Sequence, residues 1–168
     1  TADMFLDADN KPMRFLDAKN SGLSTGVPGL LAMLSLAHED QGLLEWSSLF
    51  DRAAQLATDG FNISPRLNGM LERYGKYIPA TLEEGPTEAH EYFFDDNGQP
   101  YPVGHLLKNP DYANTLKLVA EDVSAFYKGP IAAQIAEMVQ RPPRAGRLTV
   151  KDIAGYQAVK HHALCQPY

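Results

Sequence analysis

The stretch Ser21-Gly22-Leu23-Ser24-Thr25-Gly26-Val27-Pro28-Gly29, followed at once by Leu30-Leu31-Ala32-Met33-Leu34-Ser35-Leu36-Ala37, constrains this chain most. Its glycines make a loop, and Pro28 stands where a helix would open, since proline favours the first helical turn. The residues after it are apolar on nearly every side of a helix, which predicts a buried element rather than a surface one. Leu30, Leu31, Met33, Leu34 and Leu36 would each gain roughly 1.5–3 kcal/mol from full burial, enough to make this helix a spine for its neighbours. Such a helix should leave a contiguous exposed apolar patch unless a second copy covers it, since patches of that kind mark a missing partner.

A length of 168 residues suits a single region with a real core. No apolar run approaches the roughly 20 residues that span a bilayer, and Thr1-Ala2-Asp3-Met4-Phe5 has neither the basic start nor the apolar middle of a signal peptide. The absence of an initial methionine suggests that an upstream portion is missing. A net charge of −6 argues against nucleic acid, and the basic run Arg141-Pro142-Pro143-Arg144-Ala145-Gly146-Arg147 fits a solvated loop better. Cys165, alone, forms no internal disulfide and says little about compartment.

Local signals predict a mainly helical chain with small hairpins. Asp9-Asn10-Lys11-Pro12 interrupts apolar residues between Phe5 and Asn20 as a hairpin turn would. The spine helix ends around Gly42. Trp46, Leu49, Phe50, Ala53, Leu56 and Ala57 follow at helical spacing and stop at Gly60. Ser64-Pro65 opens a helix carrying Leu67, Met70, Leu71 and Tyr74, closed by Gly75 and Pro79. Thr81 to His90 is acidic and suits a surface loop, and Asn97-Gly98 then marks a hairpin between Glu91–Phe94 and Gln99–Tyr101, with Pro100 restricting its second strand to an edge. Asn109-Pro110 opens a long helix with the stripe Leu116, Val119, Val123 and Phe126. Gly129-Pro130 starts another whose buried face would be Ile131, Ile135, Met138 and Val139. Thr149 with Asp152 makes a capping box, and Gln157 to Tyr168 has the pattern of a strand.

Candidate chemistry is thin. Gly22-Leu23-Ser24-Thr25-Gly26 matches G-x-S-x-G, but a nucleophile elbow needs an apolar strand running into the serine and a helix leaving from it. Here the entry, Asp17 to Ser21, is polar and the helix waits until Pro28. His161 or His162 follow in suitable order without an evident aspartate partner. The loop can also hold an anion on its unpaired amides, although proline removes one donor and the phosphate-loop spacings are missing. The plainer alternative is that its glycines let it pass close beneath another backbone. His38-Glu39-Asp40 point in different directions on a helix, His161 and His162 face opposite sides of a strand, and His90 and His105 stand alone, so no metal is expected. Glu83-Glu84 and Asp95-Asp96 lie in turn contexts with nothing to shift their pKa values.

The order of motifs resembles the large subunit of the γ-glutamyltranspeptidase family, whose members are N-terminal-nucleophile hydrolases. The similarity lies in Ser21-Gly22 through Gly26-Val27-Pro28-Gly29, in Leu44-Glu45-Trp46, and in Ala53-Ala54-Gln55-Leu56-Ala57 with Asp59-Gly60-Phe61. It continues in Asn109-Pro110 with Ala113-Asn114-Thr115-Leu116, in Phe126-Tyr127-Lys128-Gly129-Pro130-Ile131-Ala132, and in Gly146-Arg147-Leu148-Thr149 with Asp152 and Tyr156. The resemblance implies the helical portion of an αββα fold, as one region over residues 1–168, lacking most of the sandwich. It implies a parent that moves a γ-glutamyl group from glutathione or related donors to amino acids, peptides or water, without a cofactor or metal. The family's nucleophile is a threonine at the start of the small subunit, which acts as its own base through its free amine. That residue would lie beyond Tyr168, and the arginine that holds the substrate's α-carboxylate would lie upstream of Thr1. Thr1 itself sits in an internal large-subunit segment and Arg14 is outside the arginine's motif. No catalytic or substrate-binding residue is therefore assigned here, and the chain alone is expected to be inactive. The small subunit is the implied partner, and a periplasmic, secreted or outer-surface location is implied for the parent. The rival functions are a non-catalytic helical interaction module and, behind it, a serine hydrolase using Ser24.

Overall fold

The computed structural model describes residues 3–7, 9–78, 81–82, 85–142, 144–163 and 165. Along the chain the elements are α1 (Phe15–Lys19), α2 (Leu30–Gln41), α3 (Asp51–Asp59), β1 (Phe61–Asn62), α4 (Pro65–Tyr74), β2 (Thr81–Leu82), β3 (Gly85–Pro86), α5 (Glu88–Phe93), β4 (Leu106–Leu107), α6 (Pro110–Glu121), α7 (Ser124–Tyr127), α8 (Pro130–Val139) and α9 (Val150–Ala154). The strands form antiparallel two-residue pairings, β1 with β4 and β2 with β3. The architecture is thus mainly helical. Residues cluster into two compact units, one comprising Thr1–Phe50 with Lys117–Tyr168 and the other Asp51–Leu116.

In the first unit the core is Tyr127, Ala132, Ala136, Leu148 and Ile153, with Val27, Leu31, Ala32, Val123, Phe126, Ile135 and Val139 packed against it. Gly129, at φ 86°, turns the chain into α8, where Pro130 takes the first helical position. The fully buried side chains of α8 are its small ones, Ala132 and Ala136, while Met138 stays half exposed. The expected face of Ile131, Ile135, Met138 and Val139 holds in part: Ile135 and Val139 pack against the core and Ile131 is half-buried, but Met138 is not covered. The deepest positions are alanines because α8 packs against both α7 and α9, where small residues let helix axes come close. The capping box of α9 forms as predicted, Asp152 N donating to Thr149 Oγ1 and Thr149 N to the Asp152 carboxylate.

Four other expectations fail in this unit. None of the twelve residues of α2 is buried, and Leu30, Met33 and Leu34 are 64%, 49% and 42% exposed. Apolar residues ring the helix from Leu30 to Ala37, so a core on one flank packs against Leu31 and Ala32 and leaves an apolar face open at Leu30, Met33 and Leu34. The single helix expected from Asn109 to Phe126 is two, because the Asp122 carboxylate accepts from Ser124 N (2.8 Å) and Ser124 Oγ (2.5 Å) and so restarts the chain as α7. The tail from Gln157 is not a strand in its described residues: a strand needs a neighbour to receive its hydrogen bonds, and none pairs with it there. Pro28 also falls two residues short of its predicted place, since Gly29 caps α2 and Leu30 is its first residue.

In the second unit Ala54, Ile63, Leu71, Phe94, Leu107 and Ala113 are buried. Ser64 caps α4 by accepting from Leu67 N (3.1 Å), and Asn109 Oδ1 accepts from Tyr112 N at the start of α6 (2.8 Å). Gly60, at φ 92°, ends α3. The helix predicted from Trp46 begins only at Asp51, after a 3-10 turn over Ser47–Leu49. The segment before the Asn-Gly turn is a further correction. Thr87 caps a helix over Glu88–Phe93, so residues taken for loop and strand are helical, and the hairpin shrinks to a bridge between Phe94 and Pro100. Glu83 and Glu84 lie outside the described residues.

Each unit contains the same turn. Asp7 N donates to Lys11 O, Asp9 N and Lys11 N donate to Asp7 Oδ1, Asn10 N donates to Asp7 O, and Met13 N donates to Phe5 O. Asp95, Asn97, Gly98, Gln99 and Tyr101 repeat those bonds one for one, with Phe93 in the place of Phe5. The fourth position has φ 60° at Asn10 and 72° at Gly98, which Asn and Gly tolerate best.

Candidate functional site

The glycine loop lies against the chain that leaves α8. Gly22 N donates to Arg144 O (2.8 Å) and Gly146 N donates to Val139 O (2.7 Å). A Cβ on Gly22 would come inside 3.0 Å of Val139 O, Gly146 N and Gly146 Cα, and one on Gly146 would come as close to Gly22 O and Gly22 C. The loop therefore passes beneath another backbone, as the plainer alternative predicts, and Gly22 and Gly146 are what permit it. Gly26 faces open space, with nothing within 4 Å of a Cβ built there. Arg144 adds an exposed ion pair to Asp17 (3.2 Å), worth little by itself.

The loop's exit is held by Tyr127. Its hydroxyl donates to Pro28 O (2.8 Å) and accepts from Ala32 N (2.9 Å), one of the first-turn amides that a helix leaves unpaired. Gly29 has no side chain with which to cap α2, and the phenol supplies that partner from α7. Burial pushes the Tyr127 hydroxyl above its ordinary pKa of 10.0, against the opposing pull of the Ala32 amide. Gly29 also makes room for Tyr156, whose hydroxyl a Cβ at position 29 would strike. The Tyr127 and Tyr156 rings stack with centroids 6.2 Å apart.

Beside α2 this arrangement leaves an open cleft of about 410 Å³, lined by Leu36, Glu39, Val123, Lys128 and Tyr156 among others. Its lining holds the Glu39 carboxylate, the Lys128 ammonium and the hydroxyls of Ser35, Ser124, Tyr127 and Tyr156, of which Ser124 donates to the Asp122 carboxylate at the start of α7. Ser24 Oγ lies 2.9 Å from both Lys19 O and Ser21 O, so its one proton is committed to a carbonyl. His161 and His162 are exposed in the tail. Of the amides that might meet an anion, Ala32 N is taken by Tyr127 and Met33 N by Gly29 O. His38 Nε2 pairs with Leu44 O (2.8 Å), Glu39 lines the cleft and Asp40 pairs with Lys160, three separate destinations. His90 stacks on Phe94 and His105 on Tyr101. Among the described residues no three His, Cys, Asp or Glu side chains gather as a metal site would need, and no helix is long and apolar enough to cross a membrane.

The family model for gamma-glutamyltranspeptidase matches residues 1–168. This chain belongs to the gamma-glutamyltranspeptidase family. The glutathione hydrolase proenzyme of Escherichia coli is 33% identical over 172 residues, covering 100% of this chain and 28% of that protein. The glutathione hydrolase proenzyme of Bacillus subtilis (strain 168) is 32% identical over 157 residues, covering 93% of this chain and 25% of that protein. This member of the family thus spans about a quarter of the length of the curated relatives it matches. Among solved structures, the gamma-glutamyltranspeptidase of Helicobacter pylori superposes with a TM-score of 0.78 at 27% identity, over 94% of this chain and 43% of that one. The motifs that carried the resemblance contain the site's working parts: Gly22, Gly29, Tyr127, Gly146 and Tyr156 all fall within them. Position 127 carried no separate signal, because a tyrosine hydroxyl that binds main-chain atoms elsewhere in the chain leaves no local pattern.

Proposed function

We propose that this chain is the helical middle of the large subunit of a γ-glutamyltranspeptidase, one region that supports a catalytic sandwich formed by the rest of its parent. The parent transfers a γ-glutamyl group from glutathione or a related compound to an amino acid, a peptide or water, and works in the periplasm or outside the cell. The family match over residues 1–168 carries this reading, together with relatives that are about four times longer. The nucleophilic threonine belongs to the small subunit beyond Tyr168, and the arginine that receives the substrate's α-carboxylate belongs upstream of Thr1. The chain contributes position rather than chemistry: its hydroxyls at Ser21, Ser24 and Tyr127 are spent on backbone atoms. Alone, it is inactive.

The test is release of nitroaniline from γ-glutamyl-p-nitroanilide by the 168-residue chain, beside a chain lengthened in both directions. No turnover by the first and turnover by the second is expected, whereas turnover by the first refutes the proposal. A second reading, a helical interaction module, draws on the open face of Leu30, Met33 and Leu34. By this reading the isolated chain self-associates through that face. Sedimentation separates the outcomes: a concentration-dependent dimer that Met33→Glu abolishes supports it, and a monomer at all concentrations refutes it.

A further inference from the structure

Two Asn-Gly dipeptides occur, Asn68-Gly69 and Asn97-Gly98, and the fold treats them oppositely. We propose that Asn97 is a site of spontaneous deamidation and that Asn68, with the same neighbour, is protected by its helix. The chemistry needs no partner beyond water. Gly98 N attacks Asn97 Cγ, a new C–N bond closes a five-membered imide, and the bond from Cγ to Nδ2 breaks as ammonia leaves with the amide proton. Water then opens one of the two imide carbonyls, giving aspartate or isoaspartate at position 97. Attack requires a side chain free to swing, a backbone free to twist, and a following residue without a Cβ in the way.

Position 97 comes much nearer to all three: its side chain and its amide reach only the carboxylate of Asp95 within the same surface turn, and no other element holds them. Asn97 and Gly98 are exposed at the tip of the turn, and nothing lies within 4 Å of a Cβ built on Gly98. Gly98 N is held only by Asp95 O (2.9 Å), in a solvent-facing turn whose opening costs little. Asn68 meets only the last, since Gly69 is as open as Gly98. Asn68 lies half-buried inside α4, its Nδ2 donates to Tyr101 O (3.1 Å), and its own amide donates to Ser64 O (3.0 Å). Gly69 N belongs to the helical ladder, and freeing it means unwinding the helix.

The first copy of the turn indicates what the product would do. Asp9 occupies there the place that Asn97 occupies in the second copy, and the same backbone bonds form around it. An aspartate at 97 therefore keeps the turn, while an isoaspartate inserts a methylene into the main chain and breaks the pairing of Asp95 with Gln99. The consequence is a gain of negative charge at one exposed point. It is independent of the enzymatic reading.

The test is peptide mapping by mass spectrometry of the 168-residue chain held in mildly alkaline buffer, with and without denaturing urea. In the folded chain Asn97 should convert on the order of tenfold faster than Asn68 or more, since the helix must open first. In urea the two rates should converge. Equal rates in the folded chain, faster loss at Asn68, or a gap that persists in urea would each overturn the proposal. Asn97→Asp should fold with an unchanged denaturation midpoint, and a clear drop would overturn the claim that the product fits the turn.

Discussion

Replacing Gly22 by alanine puts a methyl group where two backbones already touch. Gly146 N would lie 2.5 Å from the new Cβ, against 3.4 Å for ordinary contact, and both Gly146 N and Val139 O are main-chain atoms that cannot rotate aside. The segments must part by roughly 1 Å, which takes the bonds from Gly22 N to Arg144 O and from Gly146 N to Val139 O out of range. Two net hydrogen bonds at about 1 kcal/mol each, added to about 1–3 kcal/mol for overpacking, give a loss of about 3–5 kcal/mol. That is a large share of the roughly 5–15 kcal/mol that holds a domain together. The assay is urea denaturation followed by the fluorescence of Trp46, the one tryptophan, which lies in the same unit and donates from Nε1 to Val119 O. Gly26→Ala is the control, because open space surrounds that position and its φ is not positive; it should shift stability by no more than about 0.5 kcal/mol. Gly146→Ala should cost as much as Gly22→Ala, and the double variant less than their sum, since one separation relieves both clashes. Matching midpoints for Gly22→Ala and Gly26→Ala would refute the account of the crossing.

Further predictions concern the loop's exit and the turns. Tyr127→Phe keeps the buried ring but leaves Ala32 N and Pro28 O without the hydroxyl, and should lower stability by about 1–3 kcal/mol in the same titration. Asp95, Asp122 and Asp152 are all held below their ordinary pKa of 3.8, chiefly by bonds from the Gln99 amide, the Ser124 side chain and the Thr149 side chain respectively. Depressed carboxylates stabilise the fold above that value and lose the effect as pH falls through their lower folded values, so denaturation midpoints should drop below about pH 4. Changing all three to alanine should flatten the acid limb. Asn10→Val forces a β-branched residue to φ 60° and should cost about 1–2 kcal/mol by thermal denaturation, whereas Asn10→Gly, which copies position 98, should be close to neutral.

What could be read from the sequence was whatever a few adjacent residues decide. Ser64-Pro65, Thr149 with Asp152, Gly42, Asn109-Pro110 and Gly129-Pro130 each mark a boundary, because a cap or a proline acts within a turn of itself. The break at Asp122 was equally local but hidden, since the apolar stripe from Leu116 to Phe126 keeps its period across it. Thr87 was masked in the same way by an acidic run that resembles a loop. Pairing of Phe61 with Leu107 joins strands far apart in the chain, and nothing near either residue announces the other. The burial of α2 could not be settled from its own residues: an all-apolar circumference says that cover is wanted without saying from where. At the site, Gly22 and Gly29 stood out as glycines, but the backbone that Gly22 touches and the tyrosines that grip and flank Gly29 depend on tertiary approach.

A phenol that grips main-chain atoms is indifferent to what hangs from them. The first turn of α2 can exchange its exposed Leu30 and Met33 for other residues of similar helical preference and still be received by Tyr127, which takes hold only of a carbonyl and an amide that every such variant retains. Sequence drift at positions 30 and 33 and a fixed path for the loop that leads into them are therefore compatible, provided position 127 keeps its oxygen.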